Sequence, residues 1–109
     1  KAAEFGRADT PIWTFVGDNP LAYATSTMEI VHYRLQPKTT GVINVSIDNP
    51  ECEITIYSAS PFNESTKIVS YSPSNNLNSD KASVSFNATS GQNYYIAVTG
   101  DDVMSLIIT

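Results

Sequence analysis

Apolar and polar residues alternate along most of the chain from residue 31 to residue 108. Successive side chains of an extended strand point to opposite faces, so alternation with a period of two predicts a strand with one buried face. In one segment, for example, Ile43, Val45 and Ile47 lie at every second position. The full pattern predicts strands at residues 31–35, 42–47, 52–57, 82–87, 94–99 and 103–108, with shorter candidates at 12–16 and 67–71.

The segments between these strands are rich in residues that form turns. Gly, Pro, Asn or Asp occur at 39–41, 48–50, 60–61, 90–93 and 99–102. About eight strands joined by short turns predict an all-β fold, an antiparallel two-sheet β-sandwich of the jelly-roll-like kind. Residues 72–80 are predicted to be a surface loop, and 20–25 could form a single helical turn. Residues 1–10 are expected to be a linker or cloning remnant, with one domain at 11–109.

Composition narrows the class of protein. Hydrophobic residues make up 41% of the chain, which argues for a folded domain. Ser, Thr and Asn supply 33 of the 109 residues, whereas charged residues make up only 16%, so the surface is expected to consist largely of hydroxyls and amides. The net charge of −5, without a basic cluster, argues against nucleic-acid binding. The longest apolar runs are far shorter than the roughly 20 residues that a membrane-spanning helix needs.

Residues suited to catalysis are scarce. The single cysteine, Cys52, forms no intrachain disulfide and is expected to be a buried small hydrophobe. The single histidine, His32, lies inside a predicted strand, and the chain has no Gly-x-Ser-x-Gly motif. One His and one Cys also argue against a zinc site. We therefore predict no catalytic residues and no enzymatic activity, with a small hydrolase as the weakest alternative.

Acidic residues cluster around two of the predicted turns. Asp48, Glu51 and Glu53 surround one turn, and Asp101 and Asp102 lie in another. Carboxylates on loops are ligands that calcium prefers, which makes these five residues candidate calcium ligands and calcium the one candidate cofactor. A site needs six to eight oxygen atoms, and no Asp-x-Asp-x-Asp-Gly loop is present. Ordinary solvated acids are the alternative.

Aromatic residues suggest a binding surface. Tyr57, Tyr71 and Tyr95 are candidate ligand-binding residues, because aromatic faces stack against the apolar faces of sugars. The alternation points Tyr57 and Tyr95 away from the apolar face of their strands. Packing within the sheet is the alternative for all three tyrosines. Trp13 is expected to lie in the core.

Four segments carry a family resemblance. Residues 31–35 follow the pattern Asp-x-Tyr-x-Phe with Leu at its end and without the Asp, and residues 40–47 form a Gly-containing turn into a β-branched strand. Residues 51–58 alternate acidic and apolar positions before a Tyr, and residues 91–98 match Gly-x-Tyr-Tyr-Ile-x-Val with one insertion. Over residues 31–109 the chain resembles the bacterial pre-peptidase C-terminal domain.

This resemblance implies a β-sandwich that serves as a non-catalytic accessory module of a secreted or cell-surface protein. Such a module is expected to be part of a larger parent chain and to aid attachment to a substrate or surface. Its partner is then a protein or polysaccharide surface. The alternative function is a structural or assembly domain of a surface layer, adhesin or virion, which long edge strands with few charges would favour.

Overall fold

The computed structural model describes residues 11–20, 30–99 and 105–109, which form nine strands and one short 3-10 turn. The strands are β1 (Ile12–Trp13), β2 (Gly17–Pro20), β3 (Ile30–Leu35), β4 (Gly41–Ile47), β5 (Glu53–Tyr57), β6 (Lys67–Tyr71), β7 (Ala82–Ala88), β8 (Tyr94–Thr99) and β9 (Ser105–Ile108). The 3-10 turn is Pro73–Asn75.

The strands form two sheets that pack face to face. One sheet has five strands in the order β1-β3-β8-β5-β6, and the other has four in the order β2-β9-β4-β7. All neighbouring strands are antiparallel except β1 and β3, which are parallel. The predicted two-sheet β-sandwich is confirmed, with nine strands among the described residues rather than about eight.

The core lies between the sheets and follows the alternation of the sequence. Along β7 every second residue is buried, and the same holds along β8. Cys52 is fully buried, as predicted. The buried hydrophobic residues are Val31, Tyr33, Leu35, Ile43, Val45, Ile47, Cys52, Ile54, Ile56, Tyr71, Ala82, Val84, Phe86, Ala88, Tyr94, Ile96, Val98, Leu106 and Ile108.

Strand β2 is absent from the sequence-based prediction. Its residues are Gly, Asp, Asn and Pro, which are all depleted in strands and show no alternation. It forms because it pairs antiparallel with β9 at the edge of the four-stranded sheet. The single turn predicted at residues 20–25 is wrong at Pro20, which belongs to β2, and otherwise lies outside the described residues.

Strand β1 places Trp13 on the surface, which contradicts the expectation that Trp13 lies in the core. Ile12 is in register with the buried Tyr33, and Trp13 is in register with Arg34 on the outer face of the sheet. Neighbouring residues of paired strands share a face, so Ile12 packs against the core and Trp13 points outward. The side chain of Trp13 is 57% exposed.

The polar segment at residues 72–80 is a surface loop, as predicted. It contains the 3-10 turn, and its one large apolar residue, Leu77, is 85% exposed. Across the three described stretches of chain, no helix is long and apolar enough to cross a membrane. Residues 1–10, expected to be a linker or cloning remnant, lie outside the described residues.

Candidate functional site

A row of aromatic and cationic residues crosses the outer face of the five-stranded sheet. Trp13 is in register with Arg34, Arg34 with Tyr95, Tyr95 with Tyr57, and Tyr57 with Lys67. We call these five residues the aromatic row. It takes one residue from each strand, so it extends over four strand spacings of about 4.8 Å, or roughly 19 Å.

Arg34 lies between two rings of the aromatic row. Its guanidinium carbon is 4.4 Å from the centroid of the Trp13 ring and 5.8 Å from that of the Tyr95 ring. A cation over the face of an aromatic ring is attracted by the quadrupole of the ring, most strongly for Trp. Within the described part of the chain, Arg34 Nε is buried without a hydrogen-bond partner. The row thus contains an arginine that is ordered by stacking rather than by hydrogen bonds from Nε.

The backbone next to Trp13 is tied to the same arginine. Thr14 N and Thr14 Oγ1 both donate hydrogen bonds to the carbonyl oxygen of Arg34, over 2.8 and 2.9 Å. Thr14 is itself buried. These two bonds fix the position of the short strand β1, and therefore that of the Trp13 ring over the guanidinium.

Phe62 covers the middle of the outer face. It comes from the loop between β5 and β6, and its ring centroid lies 5.3 Å from that of His32, 5.1 Å from that of Tyr57 and 5.2 Å from that of Tyr95. Ala97 is in register with His32 on this face. Aromatic pairs at these distances add about 0.5–1.5 kcal/mol each beyond their area of burial.

Hydrogen bonds within the loop hold Phe62 over the sheet. Thr66 Oγ1 donates to the carbonyl oxygen of Pro61 over 2.7 Å and accepts from Asn63 N over 3.0 Å. Ser58 N donates to the carbonyl oxygen of Thr66 over 2.9 Å, which closes the loop. The Ser60–Pro61 peptide bond is cis. Because both neighbours of Phe62 bond to Thr66, its backbone is anchored on each side.

Of the three tyrosines proposed as ligand-binding residues, the structure brings two together. Tyr57 and Tyr95 are half-buried and directly opposite each other in the aromatic row. Tyr71 is buried in the core, and its hydroxyl donates to the carbonyl oxygen of Pro50 over 2.9 Å. Its register with the buried Ile54 turns the ring inward, so the structure places it in the core and not on the outer face that carries Tyr57 and Tyr95.

The candidate calcium ligands do not form a described cluster. Asp48, Glu51 and Glu53 are exposed, and no group of three or more His, Cys, Asp or Glu residues that could hold a metal occurs in residues 11–20, 30–99 and 105–109. Asp101 and Asp102 lie outside the described residues. Calcium binding stays a prediction.

Two surface clefts lie away from the aromatic row. One, of about 420 Å³, is formed by the loop around Leu77 and the turn at Pro50. The other, of about 440 Å³, lies between Phe15 and Val16 and the loop after β3. Neither cleft is lined by a residue of the aromatic row. The row is an open surface rather than the wall of one of these pockets.

Sequence reasoning missed the contributions of Arg34, Phe62 and Lys67 to this surface. It considered Trp13 for a sugar-binding surface but expected it to lie in the core. The outward position of Arg34 in its strand was visible, but its neighbours depend on the strand order. Phe62 lies in a turn, where alternation carries no information. The arrangement therefore arises from long-range pairing that the local pattern does not contain.

The fold and the outer surface define an all-β sandwich domain with an aromatic face. No protein-family model matches the chain, and no curated protein matches its sequence. Two solved structures are similar. The pre-peptidase C-terminal domain of a collagenase from Bacillus anthracis has a TM-score of 0.61 and 15% identity, with 90% of this chain and 93% of that chain covered. A periplasmic inhibitor of g-type lysozyme from Aeromonas hydrophila has a TM-score of 0.53 and 14% identity, with 90% of this chain and 98% of that chain covered.

Identities of 15% and 14% show a shared fold alone. The resemblance to pre-peptidase C-terminal domains is confirmed at that level. The same β-sandwich occurs in a domain of a protease and in a periplasmic inhibitor, so the fold is shared by proteins with different functions. What this chain does must be argued from its own surface.

Proposed function

We propose that this domain is a non-catalytic binding module of a secreted or cell-surface protein, and that the aromatic row is its contact surface for a polysaccharide. The observation that carries the proposal is the alignment of Trp13, Tyr95 and Tyr57 on the outer face of one sheet. Trp13 is exposed there, and the two tyrosines are half-buried with Phe62 packed against their rings. Arg34 stands among them, and its buried Nε has no hydrogen-bond partner among the described residues. Nothing about the fold alone would select this face.

The chemistry of the row suits a sugar polymer. Ring faces stack on the apolar faces of pyranose rings, and a guanidinium donates several hydrogen bonds to hydroxyl oxygens. A small ligand is usually enclosed by a pocket that buries most of its surface. A row of roughly 19 Å along the outer face of a sheet instead matches an extended chain that passes over several residues in turn.

The exported setting is supported by the fold neighbours. One is a domain of a collagenase and the other is described as periplasmic. The low content of charged residues and the surface of hydroxyls and amides agree with such a module. We extend this setting to the present chain as part of the proposal.

A protein partner is the second candidate. Trp, Tyr and Arg are the residues that most often carry the binding energy of protein interfaces, and all three occur side by side in the aromatic row. One fold neighbour is described as an inhibitor of a lysozyme. The two candidates share the same contact surface and differ in what occupies it.

Co-sedimentation with insoluble polymers tests the proposal. The purified domain is mixed with cellulose, chitin or peptidoglycan, and separately with fibrillar collagen or immobilised g-type lysozyme. We expect retention on at least one polysaccharide, and about tenfold weaker retention for Trp13→Ala, because truncation of an interface anchor costs more than about 1 kcal/mol. Trp13 is exposed, so its loss should leave the core intact.

The matched control is Val42→Ala, since Val42 is 62% exposed on the outer face of the other sheet. It should bind like the wild type. Retention on collagen or lysozyme alone would favour the protein partner. Retention that Trp13→Ala leaves unchanged would show that the aromatic row is not the contact surface, and no retention on any polysaccharide would contradict the proposed ligand class.

A further inference from the structure

Strand β7 is a long edge strand without the usual protection. Ala82–Ala88 pairs with β4 on one side only, in continuous register over all seven residues. It contains no charged residue, no proline and no glycine. Edge strands are normally short, charged, bulged or interrupted by proline, because their unpaired backbone groups attract other strands.

The other three edges of the two sheets carry such protection. Strand β1 has two residues, and β2 contains Asp18 and Pro20. Strand β6 has a register irregularity opposite Tyr57, and Lys67 at its start forms an ion pair of 3.1 Å with Glu64. Among the described strands, β7 is therefore the edge strand that carries no protective feature of its own, and β6 is the strand of the other sheet that lies nearest to it.

The register identifies which backbone groups of β7 face outward. Thr109 N donates to the carbonyl oxygen of Asn44 over 2.9 Å, so the backbone of Asn44 points toward β9. Backbone groups of successive residues point to opposite sides of a strand, which means that Ser85, the partner of Asn44, points away from β4. The same holds for Ser83 and Asn87. None of these three has a backbone hydrogen-bond partner in the described part of the chain.

We propose that β7 pairs antiparallel with β7 of a second copy of this chain, around a two-fold axis at Ser85. Ser85 then lies opposite its own copy and Ser83 lies opposite Asn87, so every outward donor meets an outward acceptor. A two-fold interface requires such a self-complementary edge. The edge is neutral, so the net charge of −5 on each copy is not concentrated where the copies meet.

The pairing has a geometric consequence for the aromatic row. The two-fold axis of an antiparallel strand pair is perpendicular to the sheet, so both copies keep the same face of the sandwich on the same side. The two five-stranded sheets, and with them the two rows, face one common plane. This part of the inference rests on the proposed function. Two linked rows on one side would bind an extended polymer with avidity.

Analytical ultracentrifugation of the isolated domain tests the pairing without any ligand. We expect a reversible dimer with a dissociation constant on the order of 10⁻⁵ M, as for a small interface. Ser85→Pro should sediment as a monomer with unchanged circular dichroism, because the lost N–H faces the free edge and makes no bond to β4. The bond to β4 that the substitution does remove is the exposed one from Ser85 Oγ to Asn44 Oδ1. If Ser85→Pro does not fold, Ser85→Lys serves instead, since it places two charges side by side at the axis.

Ser46→Lys is the control for charge, because Ser46 lies on the same outer face but on the inner strand β4. It should dimerise like the wild type. A wild type that stays monomeric at concentrations on the order of 1 mM, or a Ser85 variant that dimerises unchanged, would overturn the pairing. So would amide hydrogen exchange at Ser83, Ser85 and Asn87 that is equally fast at low and high protein concentration.

The proposed pairing of β7 and the proposed contact surface on the aromatic row are tested by independent experiments. Sedimentation of the isolated domain reports only on the edge, whereas Trp13→Ala reports only on the row. If both hold, Ser85→Lys should be retained on the insoluble polysaccharide about tenfold or more weakly than the wild type, while binding of a short soluble fragment is unchanged. Equal retention on the insoluble polymer would contradict the bivalent arrangement and leave the dimer intact.

Discussion

Truncation of Ile96 to alanine is expected to lower the free energy of unfolding by about 3–4 kcal/mol. Ile96 is fully buried in β8, the central strand of the five-stranded sheet, with Tyr33 on one side and Ile56 on the other. Because paired strands lie on both sides of β8, the backbone has little freedom to move into the cavity that the truncated side chain would leave. A domain of this size has a total stability of about 5–15 kcal/mol, which makes the loss a large fraction of the whole.

Urea unfolding followed by circular dichroism measures this effect. Val42→Ala provides the control, because it shortens a β-branched residue by two methyl groups on an exposed face and should cost less than about 1 kcal/mol. If Ile96→Ala does not fold, Ile96→Val should still cost about 0.5–1.5 kcal/mol. An Ile96→Ala variant as stable as Val42→Ala would contradict the placement of the core between the two sheets.

Truncation of Tyr95 to alanine is expected to weaken polysaccharide binding by about 30-fold or more, which corresponds to the loss of a central hot-spot residue. Tyr95 lies in the middle of the aromatic row, in register with Arg34 and Tyr57, and its ring also contacts Phe62. Its removal takes away one stacking face and the support of two neighbours. The effect should therefore exceed that of Trp13→Ala at the end of the row.

Two further variants separate the ring of Tyr95 from other effects. Tyr95→Phe keeps the ring and should bind nearly as well as the wild type. Thr55→Ala changes a residue on the same outer face, two residues before Tyr57 along β5, and should have little effect. Isothermal titration with a soluble fragment of the retained polysaccharide gives the affinities. Equal binding by Tyr95→Ala and Thr55→Ala would exclude Tyr95 from the contact surface.

Much of the fold could be predicted because each strand carries its own signal. Where one face of a strand is buried, every second residue must be apolar, and a slip by one residue would expose the whole set. The segments around Val45, Val84 and Ile96 obey this rule, and all three residues are buried. The outward orientation of Tyr57 and Tyr95 followed from the same alternation.

Strands that depend on their neighbours could not be predicted. Strand β2 has no apolar face of its own and is stabilised by its pairing with β9. The exposure of Trp13 depends on a parallel pairing with Arg34, across about twenty residues of chain. Tyr71 follows the alternation of a strand as well as Tyr57 does, but its register with Ile54 turns it inward. A local pattern shows that a segment is a strand with one buried face, but it does not show which other strand pairs with it.

Most of the candidate site depends on which strands pair, and so it could not be predicted from local sequence. The aromatic row exists because five strands align one residue each, and two of its five members come from short or bulged strands at the edges of the sheet. Phe62 reaches the row from a loop that is ordered by hydrogen bonds to Thr66. The residue types were visible in the sequence, whereas their assembly into one surface required the strand order.

Mapping of amide chemical shifts during titration with a soluble fragment of the retained polysaccharide tests the central claim most directly. The proposed contact surface predicts that the largest changes occur at Arg34, Tyr95, Tyr57 and the indole N–H of Trp13, with little change on the outer face of the four-stranded sheet. Changes centred instead around Val42 and Asn44, or spread evenly over both sheets, would contradict the assignment of the aromatic row as the ligand-contact surface.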